Sequence, residues 1–302
     1  MRLEYSEDYE RVLSKKAHSW DESKAILEYM RVNRIFQPDV AAIHGSVVLT
    51  KNASRLGDDV WAVHEQVCLA AMHLGMHAWT AYCIEKLTEK FPKSKRVKRL
   101  YALHQEAIGD FTGATKVYKD ILQESPESTF ARRRLIAIKR TQGKTQEAIE
   151  AATKHLETFQ MDKEVWHELT EMYIQEGQLS KAAYCLEDVL IQDPRNMYTV
   201  LSYAELVFSC GQDFDLARKY FCLACEIDDT SLRALWGLFW CNQHLHKKDQ
   251  GSDKMLALQS MCVQRLRSAY KPLKHVPSTK IMLALLDAEL LATSGSAEAK
   301  AS

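Results

Sequence analysis

The sequence predicts an all-helical protein, built as a solenoid of helix–turn–helix repeats. Glycines recur five times at intervals of 34 residues, and alanines and prolines keep the same register at other positions. The chain contains only 11 glycines and 6 prolines in 302 residues, so it encodes few turns, which favours long helices over short strands. We therefore expect a right-handed superhelix of helix hairpins with helical caps.

Three classes of residue keep this register, and each has a physical role. Glycine suits the turn between the two helices of a repeat, because a left-handed residue costs glycine least; these glycines are Gly75, Gly109, Gly143, Gly177 and Gly211. Alanine suits a close crossing of two helices; these alanines are Ala114, Ala148 and Ala182. Proline ends the second helix and can start the next one; these prolines are Pro92, Pro126 and Pro194.

The register divides the chain into four regions. They are an N-terminal helical cap (1–60), five repeats (61–231), a degenerate repeat with a C-terminal helical cap (232–293) and a disordered tail (294–302). The fifth repeat carries one extra residue after Gly211, and a polar loop over 246–253 displaces the second helix of the degenerate repeat. The predicted cap helices span about 6–18, 21–34, 38–52, 254–270 and 278–293.

Composition excludes several classes of function. Lys and Arg number 40 and Asp and Glu also 40, so no overall field attracts nucleic acid or anionic lipid. The eight cysteines are scattered through apolar, helical contexts, which fits reduced thiols in the cytosol. No run of about 18–20 apolar residues predicts a membrane span, and the polar start of the chain does not look like a signal peptide.

The repeats resemble the tetratricopeptide consensus. The best match is the fourth repeat, through Trp166, Leu169, Tyr173, Gly177, Ala182, Leu186 and Pro194. Segments 56–61, 96–100, 166–169 and 181–187 are in addition similar to the family of subunit 2 of the endoplasmic reticulum membrane protein complex. This resemblance implies a scaffold without catalytic residues, peripheral on the cytosolic face of the endoplasmic reticulum. It also implies an energy-independent insertase for tail-anchored and multi-spanning proteins, with membrane-embedded and soluble subunits as partners.

In solenoids of this kind the first helix of each repeat lines the concave side. The predicted partner-binding residues on these helices are Arg96, Arg99, Phe130, Arg133, Arg140 and His167. Between residues 90 and 144 there are 14 Lys and Arg against 5 Asp and Glu. This basic stretch predicts a dock for an acidic segment or a phosphate. The alternative is a solvated face with opposite charges folded nearby.

The motifs that resemble metal-binding or phosphate-binding sites are better explained as structural elements of the repeats. The spacing of Cys222, Cys225, Cys241 and His244 matches a zinc ribbon, but the first pair falls inside a predicted helix, which favours buried thiols. Gly143-Lys144-Thr145 lacks the earlier glycine of a phosphate-binding loop. Trp236, Phe239 and Trp240 form either core or a partner patch. We predict no enzyme activity and no cofactor.

Two rival functions remain at this stage. The first is a free cytosolic adaptor or co-chaperone that binds peptides. The second is an enzyme or an RNA-binding helical-repeat protein, which would need clustered catalytic groups or a base-reading code at fixed repeat positions. Neither feature occurs in the sequence, so we expect protein partners, no nucleic acid, and contact with the membrane only through partners.

Overall fold

All regular secondary structure that the structure describes is helical, which confirms the predicted fold class. The computed structural model describes residues 6–15, 17–248, 253–273 and 275–288. The chain forms two compact units, residues 1–144 and residues 145–302, each with its own core. The predicted tail and the last residues of the C-terminal cap lie outside the described residues.

Besides one short 3-10 helix, Ala53–Leu56, the first unit contains eight α-helices within its described residues. They are α1 (Ser6–Leu13), α2 (Trp20–Val32), α3 (Pro38–Asn52), α4 (Asp59–His73), α5 (His77–Lys90), α6 (Lys95–Ala107), α7 (Phe111–Glu124) and α8 (Thr129–Thr141). Consecutive helices pack on each other from α2 to α8. The first helix is shorter than the predicted 6–18 and ends at Leu13, and a capping box of Ser19 and Glu22 starts α2 at Trp20.

The second unit continues the same pattern. Its helices are α9 (Thr145–Thr158), α10 (Lys163–Gln175), α11 (Leu179–Gln192), α12 (Met197–Cys210), α13 (Phe214–Ile227), α14 (Leu232–Lys248), α15 (Asp253–Tyr270) and a segment over 277–288. The polar loop predicted from residue 246 is wrong at its start, since α14 continues to Lys248. Lysine and histidine are favourable in the last turn of a helix, where the dipole end is negative, so polarity alone did not end this helix.

The five glycines at 34-residue intervals each follow the first helix of a pair. Their φ angles lie between +68° and +82°, in the left-handed region that favours glycine. The next helix begins two residues after the first four glycines, at His77, Phe111, Thr145 and Leu179. After Gly211 it begins three residues later, at Phe214, which is where the extra residue lies.

Fully buried small residues lie on the second helices, one repeat apart. Ala114, Ala148, Ala182 and Ala217 all have 0% exposure. A side chain no larger than a methyl group lets the neighbouring backbone approach closely at such a position. The large residue four positions later is also buried in three of these helices, as Tyr118, Leu186 and Phe221. Each of these four second helices therefore buries a small residue, and three of them also bury a large one.

Candidate partner-binding surface

Two predicted binding residues meet on the first helices of neighbouring repeats. The guanidinium carbon of Arg99 on α6 lies 5.3 Å from the ring centroid of Phe130 on α8. Arg99 is exposed and Phe130 is half-buried. A cation over an aromatic face is stabilised by the ring quadrupole, and it leaves the remaining N–H donors of the guanidinium facing water. This pair can therefore still donate to a carboxylate of a partner.

Arg96, one turn earlier on α6, is engaged within the unit. Its Nε donates to Glu65 Oε1 of α4 at 2.5 Å, although the arginine side chain is 75% exposed. Exposed ion pairs of this kind contribute only about 0–1 kcal/mol, so a stronger anion can displace Glu65. Arg96 is thus a weaker candidate for binding than Arg99.

The arginine run 132–134 separates into different roles. Arg132 donates from Nε and Nη2 to the carbonyl of Pro126, at 3.1 and 2.9 Å, and so closes the turn before α8. Arg134 donates to both carboxylate oxygens of Glu106, with Nε to Oε1 at 3.0 Å. Arg133, the predicted binding residue between them, is half-buried, as is Arg140.

A network of three polar side chains joins α6, α7 and α8 at this point. Glu106, whose side chain is only 9% exposed, accepts from Arg134 and also from the hydroxyl of Tyr118. The hydrogen bond to Glu106 raises the pKa of Arg134, and burial together with Glu106 raises the pKa of Tyr118. Arg134 therefore stays charged and Tyr118 stays neutral, and the network joins the three helices.

The count of basic residues between 90 and 144 overstates the cationic surface. Besides the arginines above, Lys98 forms an ion pair with Glu124, and Lys95 donates to the hydroxyl of Ser125. Opposite charges folded nearby, the alternative that the sequence left open, thus account for part of this stretch. A docking role for the remaining cations stays a prediction.

In the second unit, His167 is exposed on α10. The helix itself is positioned by Asp162, whose Oδ1 accepts from the backbone N–H of Val165 at 3.3 Å as a cap. The other oxygen of Asp162 lies 2.7 Å from Nε2 of His155, and both side chains are almost fully buried. This buried pair was not foreseen from the sequence, and it fixes the junction between α9 and α10.

The aromatic cluster of the last repeat is mostly core. Phe239 is 7% exposed, and the Trp236 Nε1–H donates to the hydroxyl of Tyr270 at 3.0 Å. Trp240 stacks beside Trp236 but keeps 48% of its surface exposed. This exposed part of Trp240 is available to a partner.

The thiols and histidines of the described ranges are not grouped around a metal site. No group of three or more His, Cys, Asp or Glu is placed there to hold a metal ion. His244 hydrogen-bonds the carbonyl of Trp240 through Nδ1, at 2.9 Å, and its ring stacks on Phe214. Burial raises the pKa of the Cys225 thiol to about 11 and that of Cys241 to about 12, so both stay protonated.

Three histidines of the first unit share a depressed pKa. Burial is the main cause for each, with a nearby cation or second imidazole adding to it; they are His44, His64 and His104. All three are therefore neutral at pH 7. The described part of the chain also contains no helix that is long and apolar enough to cross a membrane.

Helix hairpins of this length, joined at left-handed glycines and packed through small residues, define a tetratricopeptide repeat protein. A solved structure of the C-terminal part of a TPR repeat-containing protein from Cytophaga hutchinsonii has the same fold, with a TM-score of 0.56 and 14% identity. It covers 83% of this chain, and the match includes 95% of that protein. The class predicted from the repeat is thus confirmed.

Sequence similarity identifies the family within this class. Residues 90–219 match a family model described as the EMC2 TPR-like repeat domain. The chain is 36% identical over 239 residues to the ER membrane protein complex subunit 2-B of Xenopus laevis, which covers 78% of this chain and 80% of the relative. It is 29% identical to the ER membrane protein complex subunit 2 of Dictyostelium discoideum, over 72% and 69% of the two chains. The chain therefore belongs to the ER membrane protein complex subunit 2 family.

Proposed function

We propose that this chain is a non-catalytic scaffold subunit of the endoplasmic reticulum membrane protein complex, peripheral on its cytosolic side. There it organises an energy-independent insertase for tail-anchored and multi-spanning proteins. The observation that carries the proposal is the 36% identity to a named subunit 2 over 80% of that protein. The family resemblance supplies the insertase role and the cytosolic face.

The mechanism is simultaneous holding of several polypeptides. A repeat array presents many separate helix faces. Several contacts made to one chain give a higher overall affinity than each contact has alone. In the first unit, Arg99 over Phe130 offers a cation and an aromatic face to an acidic or aromatic segment, and Arg133 and Arg140 lie half-buried on the next first helix, α8. In the second unit, His167 offers an exposed polar contact. The membrane is reached through partners.

Co-purification tests this proposal. The tagged chain is expressed in its own cells, membranes are solubilised in mild detergent, and the recovered proteins are identified and quantified by mass spectrometry. We expect membrane-embedded and soluble subunits in fixed ratio to the chain, with no dependence on added nucleotide. Recovery of the chain alone, or with chaperones only, would instead make it a free cytosolic adaptor.

A charge reversal on the first helices tests the binding surface. Arg99→Glu removes an exposed cation, so folding by circular dichroism should be unchanged while recovery of one partner falls severalfold and becomes insensitive to salt. Lys116→Glu is the matched control, because Lys116 is also exposed but lies on α7, a second helix. Equal recovery with both variants would remove Arg99 from the surface.

A further inference from the structure

A groove crosses α5, α6 and α7 of the first unit. Its volume is about 770 Å³, and its apolar lining includes Ile84, Val97, Tyr101 and Val117. Tyr101, in the middle of α6, is 45% exposed. An open apolar channel bounded by two helices has the shape that accepts a third helix.

The rim of this groove is acidic. Glu85 and Glu89 of α5 line one side and Asp120 of α7 lines the other, and all three are exposed. Glu89 pairs with Lys86 at 2.9 Å and Glu85 also interacts electrostatically with Lys86, whereas Asp120 forms no ion pair among the described residues. The one cation in the lining, Lys98, is neutralised by Glu124. The groove lining thus carries three carboxylates and one lysine, which is a net negative charge beside apolar surface.

The groove also contains a polar atom without a partner. His104 of α6 lines it, and its Nδ1 is buried with no hydrogen bond among the described residues. The ring of His77 lies 6.1 Å away, and burial with this neighbour lowers the pKa of His104. A neutral imidazole adds no charge to the lining, so it does not offset the carboxylates of the rim.

The same groove recurs in the second unit, two repeats further along the chain. There it crosses α9, α10 and α11 with a volume of about 480 Å³, and Glu157 and Asp188 hold the repeat positions of Glu89 and Asp120. However, Lys181 lines this second groove, 5.5 Å from the ring centroid of Tyr173. The first groove is therefore both larger and more negative.

We propose that the groove across α5–α7 binds an amphipathic helix of a partner protein. The apolar stripe of this helix lies along Val97, Tyr101 and Val117, and lysines or arginines beside the stripe face Glu85 and Asp120. A purely apolar segment would leave the rim carboxylates beside an uncharged surface, and an acidic one would be repelled. The inference deepens the proposed function, because it names a partner class for the acidic groove as well as for the basic first helices.

Peptide binding to the purified full chain tests this inference. The probe is a fluorescein-labelled helix of about 14 residues, the length of α5, with leucines at i, i+3, i+4 and i+7 and lysines on both flanks. Fluorescence anisotropy should show saturable binding that weakens with salt. The same peptide with glutamates in place of the lysines should bind at least about tenfold more weakly.

Matched variants locate the site. Glu85→Lys combined with Asp120→Lys should weaken binding of the lysine-flanked peptide about tenfold, while Glu10→Lys with Glu127→Lys makes the same change in net charge outside the groove and should have no effect. Tyr101→Ser should weaken binding severalfold. Tyr82→Ser removes a similarly exposed tyrosine, 41% against 45%, that does not line the groove.

Two results would overturn the inference. One is equal binding of lysine-flanked and glutamate-flanked peptides, and the other is equal binding by groove variants and their controls. Either result leaves the scaffold function intact if the chain still co-purifies with the membrane complex. Conversely, peptide binding in the groove by a chain that never co-purifies with the complex would refute only the scaffold function.

Discussion

Substituting Gly237 by alanine tests the close packing of the last repeat. Alanine inside a helix is normally favoured over glycine by about 0.5–1 kcal/mol. A Cβ on Gly237 of α14, however, would lie 2.1 Å from Cε1 of Phe221, whose ring is 1% exposed and unable to move into solvent. Overpacking of this kind costs about 1–3 kcal/mol, so we expect a net loss of about 1–2 kcal/mol in the free energy of unfolding.

Urea unfolding followed by far-UV circular dichroism measures this loss. A second substitution, Phe221→Leu, makes room for the methyl group, so the pair should show a favourable coupling of about 1–2 kcal/mol. Gly177→Ala is the control. Its φ of +70° makes alanine costly by about 1–2 kcal/mol, but its Cβ meets nothing within 4 Å, so it should not couple to Phe221→Leu. Stabilisation by Gly237→Ala, or no coupling with Phe221→Leu, would refute the packing argument.

Three further outcomes follow from the buried polar groups. Asp162→Ala removes the cap of α10 and the partner of His155, so the free energy of unfolding should fall by about 2 kcal/mol in thermal or urea melts, and Asp162→Asn, which can still cap, should cost less. The three histidines with lowered pKa bind fewer protons in the folded chain than in the unfolded one, so their contribution to the free energy of unfolding is complete above about pH 6.5 and is lost as the pH falls. The urea midpoint should therefore drop on acidification, and His64→Leu should make the midpoint depend less on pH. Alkylation followed by mass spectrometry should label the partly exposed Cys210 in native protein and Cys68 only after unfolding; early labelling of Cys68 would contradict its burial.

The helices and their turns could be predicted because local rules determine them. A glycine every 34 residues, followed by an apolar run with small residues at one position, requires only the conformational freedom of glycine and the spacing of a helix face. The same periodicity located the extra residue after Gly211. By contrast, Gly45 and Gly237 have no matching glycine 34 residues away, and only the structure shows that the side chains of Val67 and Phe221 fill the space beside them.

The binding surface was less predictable, because a count of charged residues does not show which group each side chain contacts. Arg132, Arg133 and Arg134 are equivalent in a sequence count, yet the first caps a turn and the third reaches a buried glutamate 28 residues away in the chain. The acidic groove was missed for the same reason. Glu85 and Asp120 belong to different helices, and the surrounding stretch is basic overall.

Burial of the thiols determines when oxidation can inactivate this protein. In the folded chain the pKa of Cys68, Cys83, Cys185, Cys241 and Cys262 is about 12, so almost no thiolate exists to react with an oxidant. An unfolded cysteine, with an ordinary pKa near 8.5, is a few per cent thiolate at neutral pH. Oxidation of these five thiols therefore captures molecules only while they are unfolded, and wrong disulfides between them then prevent refolding. Under oxidising conditions the lifetime of this protein is set by how often it opens.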